Sequence, residues 1–99
     1  MCGICGVVGE ADAGTVERMA KRLRHRGPDS EGVKVFCSPP AVLGHTRLAI
    51  IDLSDAAAQP MSTPDGRFHI TYNGEVYNFR EIRTELEARG YRFRSNSDT

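Results

Sequence analysis

Residues 33–53 read VKVFCSPPAVLGHTRLAIIDL, and they contain the strongest strand signals in the chain. Up to Cys37, valine and cysteine alternate with lysine and phenylalanine, which is the two-residue period of a β-strand. Pro39-Pro40 breaks the pattern, because proline fixes φ and has no N–H to donate. β-Branched and aliphatic residues resume over residues 41–53. We therefore predict two strands separated by a turn.

The residues before this pair predict one strand and one helix. Residues 4–8 form a short apolar, glycine-spaced run, typical of a buried strand whose backbone is approached closely. Residues 12–23 have apolar side chains at helical spacing, and Gly27-Pro28 ends that helix. We interpret residues 26–30 as a helix stop in which Asp29 accepts hydrogen bonds from local backbone amides.

The residues after the pair begin with a loop and a predicted hairpin. Residues 54–66 combine small alanines, two prolines and an Asp-Gly turn, so most of this stretch is predicted to be loop. Residues 68–72 alternate up to Asn73-Gly74, which is the leading sequence signal for a two-residue hairpin turn. Residues 75–77 are then predicted to form a short return strand.

A second helix is predicted after this hairpin. Asn78 with Glu81 three residues later resembles a capping box, and apolar residues continue along one helical face until Gly90. Residues 91–94 are predicted to form a short strand. Strands dominate the middle of the chain and helices flank them, which predicts an α+β class with a mostly antiparallel sheet.

Length, charge and hydropathy limit the classes of protein to which the chain can belong. Its 99 residues make one small domain, and 13 basic residues balance 13 acidic ones, so no net charge would attract nucleic acid or an anionic membrane. No apolar run approaches the roughly 18 residues of a membrane span, and the start lacks the pattern of a signal peptide. We expect a soluble, cytoplasmic protein whose three cysteines are thiols.

Cys2 becomes the N-terminal residue if the initiator methionine is removed. One residue then carries a thiol and a free α-amine, groups that titrate in short peptides near about 8.5 and about 7.7 to 8.0. Such a residue is a self-contained nucleophile and base, as in enzymes with an N-terminal threonine. A cysteine at this position can also be without function, so the other segments must decide between the two interpretations.

The spacing Cys2-x-x-Cys5 also occurs in zinc and redox sites. A zinc site needs four ligands, usually as two close pairs, and a second close pair is missing from the sequence. A thioredoxin-like motif follows a strand, and no strand is predicted before this one. We therefore predict no metal site, and we interpret Cys5 as a small buried residue.

Arg47 lies inside a predicted strand that is otherwise suited to a core. A buried guanidinium must find an anion, and its planar fork matches a carboxylate in a bidentate pair. That carboxylate could belong to a ligand or to an internal partner such as Asp52, Asp55 or Glu75. The segment by itself leaves both interpretations open.

Asn73-Gly74 also has two interpretations. As a turn, it closes the predicted hairpin. As a functional pair, the Asn73 side-chain amide and the Gly74 N–H could converge on one oxygen and form an oxyanion hole, in which each donor is worth roughly 3 to 4 kcal/mol of transition-state stabilisation. The presence of Cys2 favours the oxyanion hole.

Six segments, in order along the whole chain, resemble class II glutamine amidotransferases, and more narrowly the glutamine-hydrolysing asparagine synthetase family. They are Met1–Ile4 (MCGI), Arg24–Asp29 (RHRGPD), Gly44–Ile50 (GHTRLAI), Gln59–Met61 (QPM), Tyr72–Asn78 (YNGEVYN) and Ser97–Thr99 (SDT). The glucosamine-phosphate and purine amidotransferases have a different context after the arginine and around Asn-Gly. The resemblance implies an N-terminal-nucleophile hydrolase-like fold, which is a four-layer α/β/β/α sandwich with antiparallel sheets.

The resemblance also implies a reaction and a set of site residues. L-Glutamine is hydrolysed to glutamate and ammonia, with Cys2 attacking the side-chain amide. The Asn73 side chain and the Gly74 backbone hold the developing oxyanion. The further substrate-binding residues are Arg47 for the α-carboxylate of glutamine, and Asp98 and Glu75 for its α-ammonium group.

The rest of the protein is implied in the same way. The chain stops at Ser97-Asp98-Thr99, which resembles a helix start with nothing after it, so we expect residues 1–99 to be the N-terminal part of a glutamine amidotransferase domain. The remainder of that domain, and a synthetase domain that makes asparagine from aspartate, are expected in the same polypeptide outside these residues. ATP and Mg²⁺ are expected in the synthetase domain, and no cofactor is expected in residues 1–99. A homodimer is a further possible assembly.

Two alternatives to this function stay open. An amidotransferase with the same layout could use another acceptor, such as a sugar or a peptide carboxylate. A non-catalytic module could bind glutamine, or fold only on a partner, because a truncated sheet leaves unpaired edges. We expect weak folding of residues 1–99 alone, since their core is small.

Overall fold

The structure is a computed structural model that describes residues 1–10, 12–50 and 52–99. Its elements form an α+β fold with antiparallel sheets, which confirms the predicted class. In chain order the elements are β1 (Gly3–Val8), α1 (Ala13–Arg22), β2 (Ser30–Cys37), β3 (Pro40–Arg47), a 3-10 helix (Asp55–Ala57), β4 (Met61–Ser62), β5 (His69–Ile70) and α2 (Phe79–Ala88). Each of these two α-helices has ten residues, and neither is long and apolar enough to cross a lipid bilayer.

The central sheet is antiparallel and has the strand order β1-β3-β2. β2 and β3 pair along their whole length, with Ser30 opposite Arg47, so the two predicted strands separated by a turn are confirmed. The predicted first strand is confirmed as β1, which pairs with the other edge of β3 and sets Gly3 opposite Thr46. β3 is therefore the middle strand, and its last four residues, Gly44–Arg47, are all buried.

β3 ends earlier than the sequence pattern predicts. The pattern predicts a strand over residues 41–53, but β3 ends at Arg47, and Ile51 lies outside the described residues. The next backbone N–H, that of Leu48, is donated to the sulfur of Cys2 and not to a neighbouring strand. The chain leaves the sheet at this point because a side chain has replaced the strand partner.

α1 is the helix predicted over residues 12–23, and it packs on one face of the central sheet. The Asp12 carboxylate caps the helix by accepting hydrogen bonds from the Thr15 hydroxyl (2.6 Å) and the Thr15 N–H (3.1 Å), which lower the pKa of that carboxyl. Val16 and Ala20 are fully buried and lie one helical turn apart, on the side that faces the sheet. The contact between α1 and the sheet forms the main apolar layer of the described residues.

The core of the described residues is small, as expected from the length. Its buried apolar side chains are Val16, Ala20, Val42 and Ala57, and its buried polar or charged residues are His45, Thr46 and Arg47. On the face of β1 that points away from α1, Ile4 and Val8 remain 47% and 77% exposed. One face of the central sheet is therefore covered by α1, and the other is partly open.

The hairpin predicted around Asn73-Gly74 is wrong. β5 covers only His69–Ile70 and pairs with β4, while residues 75–77 form no strand. The N–H and C=O of Tyr72 bond to two side chains from elsewhere in the chain. Because these backbone groups are already paired, the segment leaves the sheet before it reaches the Asn-Gly sequence.

α2 confirms the second predicted helix, but the predicted cap is wrong. The helix starts after Asn78, whose side chain makes no capping hydrogen bond, and it ends before Gly90, whose φ is +94°. The strand predicted over residues 91–94 is wrong, because these residues form no strand in the structure. Arg83 of α2 holds the chain after them by donating to the Ser95 C=O at 2.6 Å.

Candidate active site

A cavity of about 100 Å³ lies beside the end of β3, and segments that are far apart in sequence line it. Its lining residues are Cys2, His45, Arg47, Leu48, Ile50, Asp52, Ala57, Gln59, Tyr72, Asn73, Gly74, Glu75, Ser97, Asp98 and Thr99. The site residues predicted from the sequence are all among them, namely Cys2, Arg47, Asn73, Gly74, Glu75 and Asp98. The fold therefore brings these six residues to one place.

Cys2 is half-buried just before β1, and its position is fixed by two remote residues. Its sulfur accepts a hydrogen bond from the Leu48 N–H at 3.3 Å and lies 3.7 Å from the Leu48 carbonyl oxygen. Its own carbonyl oxygen accepts a hydrogen bond from Nε of Arg26 at 3.0 Å. Both the side chain and the backbone of Cys2 are thus held in the cavity wall.

Residues 26–30 do more than end α1. Arg26 reaches Cys2, and Asp29 accepts a hydrogen bond from the Ala49 N–H at 2.8 Å. The prediction that Asp29 binds local amides is therefore wrong, because this donor is 20 residues away in sequence. The segment connects the end of α1 to the chain that runs from β3 past the cavity.

Arg47 is 7% exposed, and backbone carbonyl groups bind its guanidinium group. Nη1 donates to the Ser54 carbonyl at 2.6 Å, and Nη2 donates to the Asp52 carbonyl. Within the described residues Arg47 forms no ion pair, so the internal carboxylate partner considered from the sequence is not found. Its positive charge is oriented by neutral groups and stays available to an anion in the cavity.

Asn73 and Gly74 follow a backbone segment that is clamped from both sides. The Tyr72 N–H donates to Oε1 of Gln59 at 2.6 Å, and the Tyr72 carbonyl lies 3.2 Å from Nε2 of His45. A Cβ atom on Gly74 would lie 2.5 Å from the Tyr72 hydroxyl oxygen, so the tyrosine ring packs against the glycine. Among the hydrogen bonds of the described residues, neither the Asn73 amide nor the Gly74 N–H takes part, which leaves both free to bind a ligand oxygen.

Three carboxyl groups contribute negative charge to the same cavity, those of Asp52, Glu75 and Asp98. Oδ2 of Asp98 accepts a hydrogen bond from the Val76 N–H at 2.8 Å. Asp52 accepts hydrogen bonds chiefly from the Ser54 hydroxyl, and also from the Asn96 and Ser54 N–H groups, which lower its pKa to about 2. One guanidinium and several carboxylates suit a zwitterionic ligand such as a free amino acid.

His45 is a buried member of the site that sequence reasoning missed. It is 1% exposed, its Nε2 bonds to the Tyr72 carbonyl, and its Nδ1 has no partner among the described residues. Burial lowers the pKa of His45; the bond to Tyr72 opposes this shift and the nearby Arg47 charge adds to it. The ring is therefore neutral at pH 7, with its proton on Nε2 because a carbonyl oxygen can only accept.

Sequence reasoning also missed Arg26 and Gln59 as parts of the site. The strand period could have identified His45, because residues two apart in a strand share a face and Arg47 is a candidate. Arg26 and Gln59 lie in the segments that carry the family resemblance, but no spacing rule connects them to Cys2 or Tyr72. Their roles depend on contacts between segments 13 to 40 residues apart.

The other two cysteines lie outside the cavity, and like Cys2 they are free in the structure. Cys5 is half-buried under α1, where its thiol lies 3.8 Å from the Val16 carbonyl oxygen, and burial raises its pKa. Cys37 is exposed at the end of β2. In the part of the chain that the structure describes, no three His, Cys, Asp or Glu side chains are grouped so that they could hold a metal ion.

Comparison with known proteins finds relatives along the whole chain. The family described as "Glutamine amidotransferase domain" matches residues 1–99. The chain is 42% identical over 106 residues to asparagine synthetase (glutamine-hydrolyzing) 1 of Bacillus subtilis (strain 168), covering 100% of the chain and 16% of that protein. It is 39% identical over 103 residues to asparagine synthetase (glutamine-hydrolyzing) 2 of Oryza sativa subsp. japonica, covering 99% of the chain and 17% of that protein. The chain thus spans about a sixth of the length of these relatives.

Proposed function

The chain belongs to the glutamine amidotransferase domain family, and from that premise we propose that residues 1–99 form the N-terminal part of a domain that hydrolyses L-glutamine to glutamate and ammonia. One observation carries the proposal. A nucleophile, two amide donors, a guanidinium and three carboxyl groups come from separate segments and line one cavity of about 100 Å³. The runner-up, a module that binds glutamine without hydrolysing it, would not need the cysteine.

Cys2 is the proposed nucleophile, acting after removal of Met1. Its sulfur attacks the side-chain amide carbon of glutamine, and the carbon–nitrogen bond breaks as ammonia leaves with a proton relayed by the α-amine of Cys2. Water then cleaves the thioester to release glutamate and regenerate the thiol. The bond from Leu48 N–H and the anchor at Arg26 support this role, because they keep the sulfur in the cavity wall before substrate arrives.

Asn73 and Gly74 are the proposed oxyanion hole. As the amide carbon becomes tetrahedral, negative charge develops on its oxygen, and two fixed N–H donors stabilise that charge. The unused donors of the Asn73 side chain and the Gly74 backbone support this assignment. The clamped Tyr72 backbone favours it further, because donors are most effective when they need no reorganisation.

The ends of the substrate are assigned by charge. The α-carboxylate of glutamine binds to Arg47, whose guanidinium is oriented by carbonyl groups and forms no ion pair within the described residues. The α-ammonium group faces Asp98 and Glu75. A guanidinium has five N–H donors, so the two carbonyl bonds leave donors for a carboxylate.

The fate of the ammonia concerns the rest of the polypeptide. We propose that it passes to an ATP-dependent synthetase domain of the same chain, which makes asparagine from aspartate. The two relatives named above are asparagine synthetases that hydrolyse glutamine, which supports this acceptor over a sugar or a peptide carboxylate. On this proposal ATP and Mg²⁺ bind in that synthetase domain, and no step assigned to residues 1–99 passes through them.

The test uses the complete polypeptide that carries residues 1–99. Mass spectrometry should find Met1 removed, and Cys2→Ala should abolish glutaminase activity while ammonia-dependent synthesis continues. Cys5→Ala is the matched control, since that thiol lies three residues away under α1 and should leave glutaminase activity intact. Glutamine hydrolysis that survives in Cys2→Ala would overturn the proposal, and glutamine binding without hydrolysis in the unmutated protein would favour the runner-up.

The acceptor has its own test. The complete polypeptide is incubated with glutamine, ATP and Mg²⁺ and with aspartate, a sugar phosphate or a peptide carboxylate in turn. Formation of asparagine from aspartate, with no product from the other two acceptors, supports the proposed acceptor. A product formed with another acceptor in its place contradicts it without affecting the glutaminase assignment.

A further inference from the structure

Gln59 connects the two walls of the cavity that the proposed function uses for different tasks. One wall carries Asn73 and Gly74, and the other carries Asp98. We propose that Gln59 is a positioning residue that holds the oxyanion donors and the ammonium-binding carboxylate in one fixed arrangement. This inference rests on the proposed function, and it concerns a residue that does not itself touch the reacting atoms.

The side-chain amide of Gln59 makes one bond to each wall. Its Oε1 accepts the Tyr72 N–H at 2.6 Å, and its Nε2 donates to the Thr99 hydroxyl at 3.1 Å. The orientation of the amide is fixed by chemistry, because a backbone N–H can only donate and must therefore face the oxygen. Gln59 is half-buried and is the only glutamine in the sequence.

A second connection between the same walls lies on the other side of the oxyanion segment. The Val76 N–H donates to Oδ2 of Asp98 at 2.8 Å. Residues 73–75 are thus flanked by two links to residues 98–99, one through Gln59 and one direct. A short backbone segment held at both ends has little freedom to move its N–H groups away from the substrate.

His45 completes the hold on Tyr72 from the opposite side. Its Nε2 lies 3.2 Å from the Tyr72 carbonyl, while Gln59 binds the N–H of the same residue. Both backbone groups of Tyr72 are therefore bound to side chains, in a segment that has left β5 and has no strand partner. Without Gln59, the Tyr72 N–H loses its partner and the backbone of Tyr72 is held only through its carbonyl.

The first test is Gln59→Leu, which removes both hydrogen bonds and keeps a side chain of similar size. In the complete polypeptide, we expect kcat/KM for glutamine hydrolysis to fall roughly 10- to 100-fold, since a misplacement of about 1 Å can cost about 100-fold. Both kcat and KM should change, because the oxyanion donors and the ammonium-binding carboxylate lose their common support. Ammonia-dependent synthesis should stay within twofold of the unmutated protein.

Gln59→Glu tests whether the hydrogen bonds cause the effect. A carboxylate can accept both the Tyr72 N–H and the Thr99 hydroxyl, so this variant should keep more activity than Gln59→Leu. Its charge opposes the developing oxyanion, and protonation removes that charge. The ratio of its kcat/KM to that of the unmutated protein should therefore rise as the pH falls, whereas the ratio for Gln59→Leu should stay flat.

Thr99→Val keeps the inference testable if Gln59→Leu fails to fold. It breaks only the bond between Gln59 and Thr99, so we expect a rise in KM of about 3- to 10-fold, since roughly 1 kcal/mol is the usual worth of a hydrogen bond. Thr84→Val is the matched control, because the Thr84 hydroxyl donates to the Arg80 carbonyl within α2 and lies outside the cavity. This control should leave KM unchanged.

The outcomes separate this inference from the proposed function. Folded Gln59→Leu with kcat/KM within twofold of the unmutated protein would overturn the positioning role, as would Thr99→Val with the same KM as Thr84→Val. If Cys2→Ala still hydrolyses glutamine, the proposed function itself has failed. If Cys2→Ala is inactive while the Gln59 and Thr99 variants are normal, only the inference about Gln59 has failed.

Discussion

Arg47 shows how a buried charge can be oriented without being neutralised. In the described residues its hydrogen-bond partners are the carbonyl oxygens of Asp52 and Ser54, which fix the guanidinium without a direct ion pair. An internal salt bridge would have occupied the guanidinium donors that a ligand carboxylate needs. Lysine could not reproduce this arrangement, because it is a point charge without the planar fork that binds two acceptors at once.

Arg47→Lys should therefore weaken glutamine binding more than turnover. We expect KM for glutamine to rise roughly 10- to 100-fold, since a hydrogen bond to a charged group is worth about 1.5 to 3 kcal/mol, while kcat changes less. Steady-state glutaminase kinetics measure both constants. Arg22→Lys, at the exposed end of α1, should leave both unchanged. An unaltered KM in Arg47→Lys would contradict the assigned role.

His45 gives the molecule a pH dependence of stability. Burial lowers its pKa below the ordinary histidine value of 6.5, so the folded state keeps the ring neutral. As the pH falls below about 6.5, the unfolded chain binds a proton that the folded chain does not, and stability falls until the folded pKa is reached. Denaturation of the complete polypeptide between pH 7 and pH 5 should show this loss. His45→Gln should flatten it, whereas His25→Gln, which leaves His45 in place, should not.

At the scale of elements, close backbone contacts hold the end of α1 against β3. Gly27 is buried, and a Cβ atom there would lie 2.4 Å from the Thr46 carbonyl and 2.5 Å from the Arg47 N. These are backbone atoms of the middle strand, so they cannot rotate away. The contact sets the distance between β3 and the segment that carries Arg26, and thereby the position of Cys2.

Gly27→Ala should destabilise the fold, because the added methyl group forces the two backbones apart. We expect the free energy of unfolding to fall by about 1 to 3 kcal/mol, the usual cost of overpacking. Gly14→Ala is the matched control: its Cβ has no neighbour closer than 3.5 Å, and alanine in a helix should be neutral or stabilise by about 0.5 kcal/mol. Urea denaturation of the complete polypeptide with either substitution measures the difference in the free energy of unfolding. Equal stabilities would contradict the close contact.

At the scale of the whole molecule, the described residues form a thin body with one open face. Its extents are 41 × 31 × 19 Å, and the shortest matches a helix layer on a sheet at roughly 10 Å per layer. Ile4 and Val8 lie exposed on the face of β1 opposite α1. An exposed apolar face on an edge strand favours association. The four-layer sandwich remains a prediction for the complete domain.

Residues 1–99 produced alone should therefore fold weakly and associate. Sedimentation should show oligomers that grow with concentration, and the double variant Ile4→Ser, Val8→Ser should shift the population toward monomer. Tyr77→Ser removes a side chain that is 91% exposed but lies outside the sheet, so it should not change the association. A monomer with high stability would contradict the expectation drawn from the small core.

The three long strands and the two α-helices could be predicted from sequence pattern, apart from the end of β3. Their signals are local: a two-residue period in β2, helical spacing in α1 and a glycine after α2 act between near neighbours. The candidate residues could be predicted too, because the resemblance to glutamine amidotransferases is carried by short segments that stay recognisable without the fold.

Which polar groups bind one another could not be predicted, because it depends on contacts that form when the chain folds. Asn73-Gly74 has the signal of a hairpin turn, but the side chains of His45 and Gln59 occupy the Tyr72 backbone that a hairpin would need. Arg47 could have paired with a carboxylate nearby, and carbonyl groups bind it in its place. These outcomes depend on partners brought together by folding, and no local pattern in the sequence records which partner a buried polar group will have.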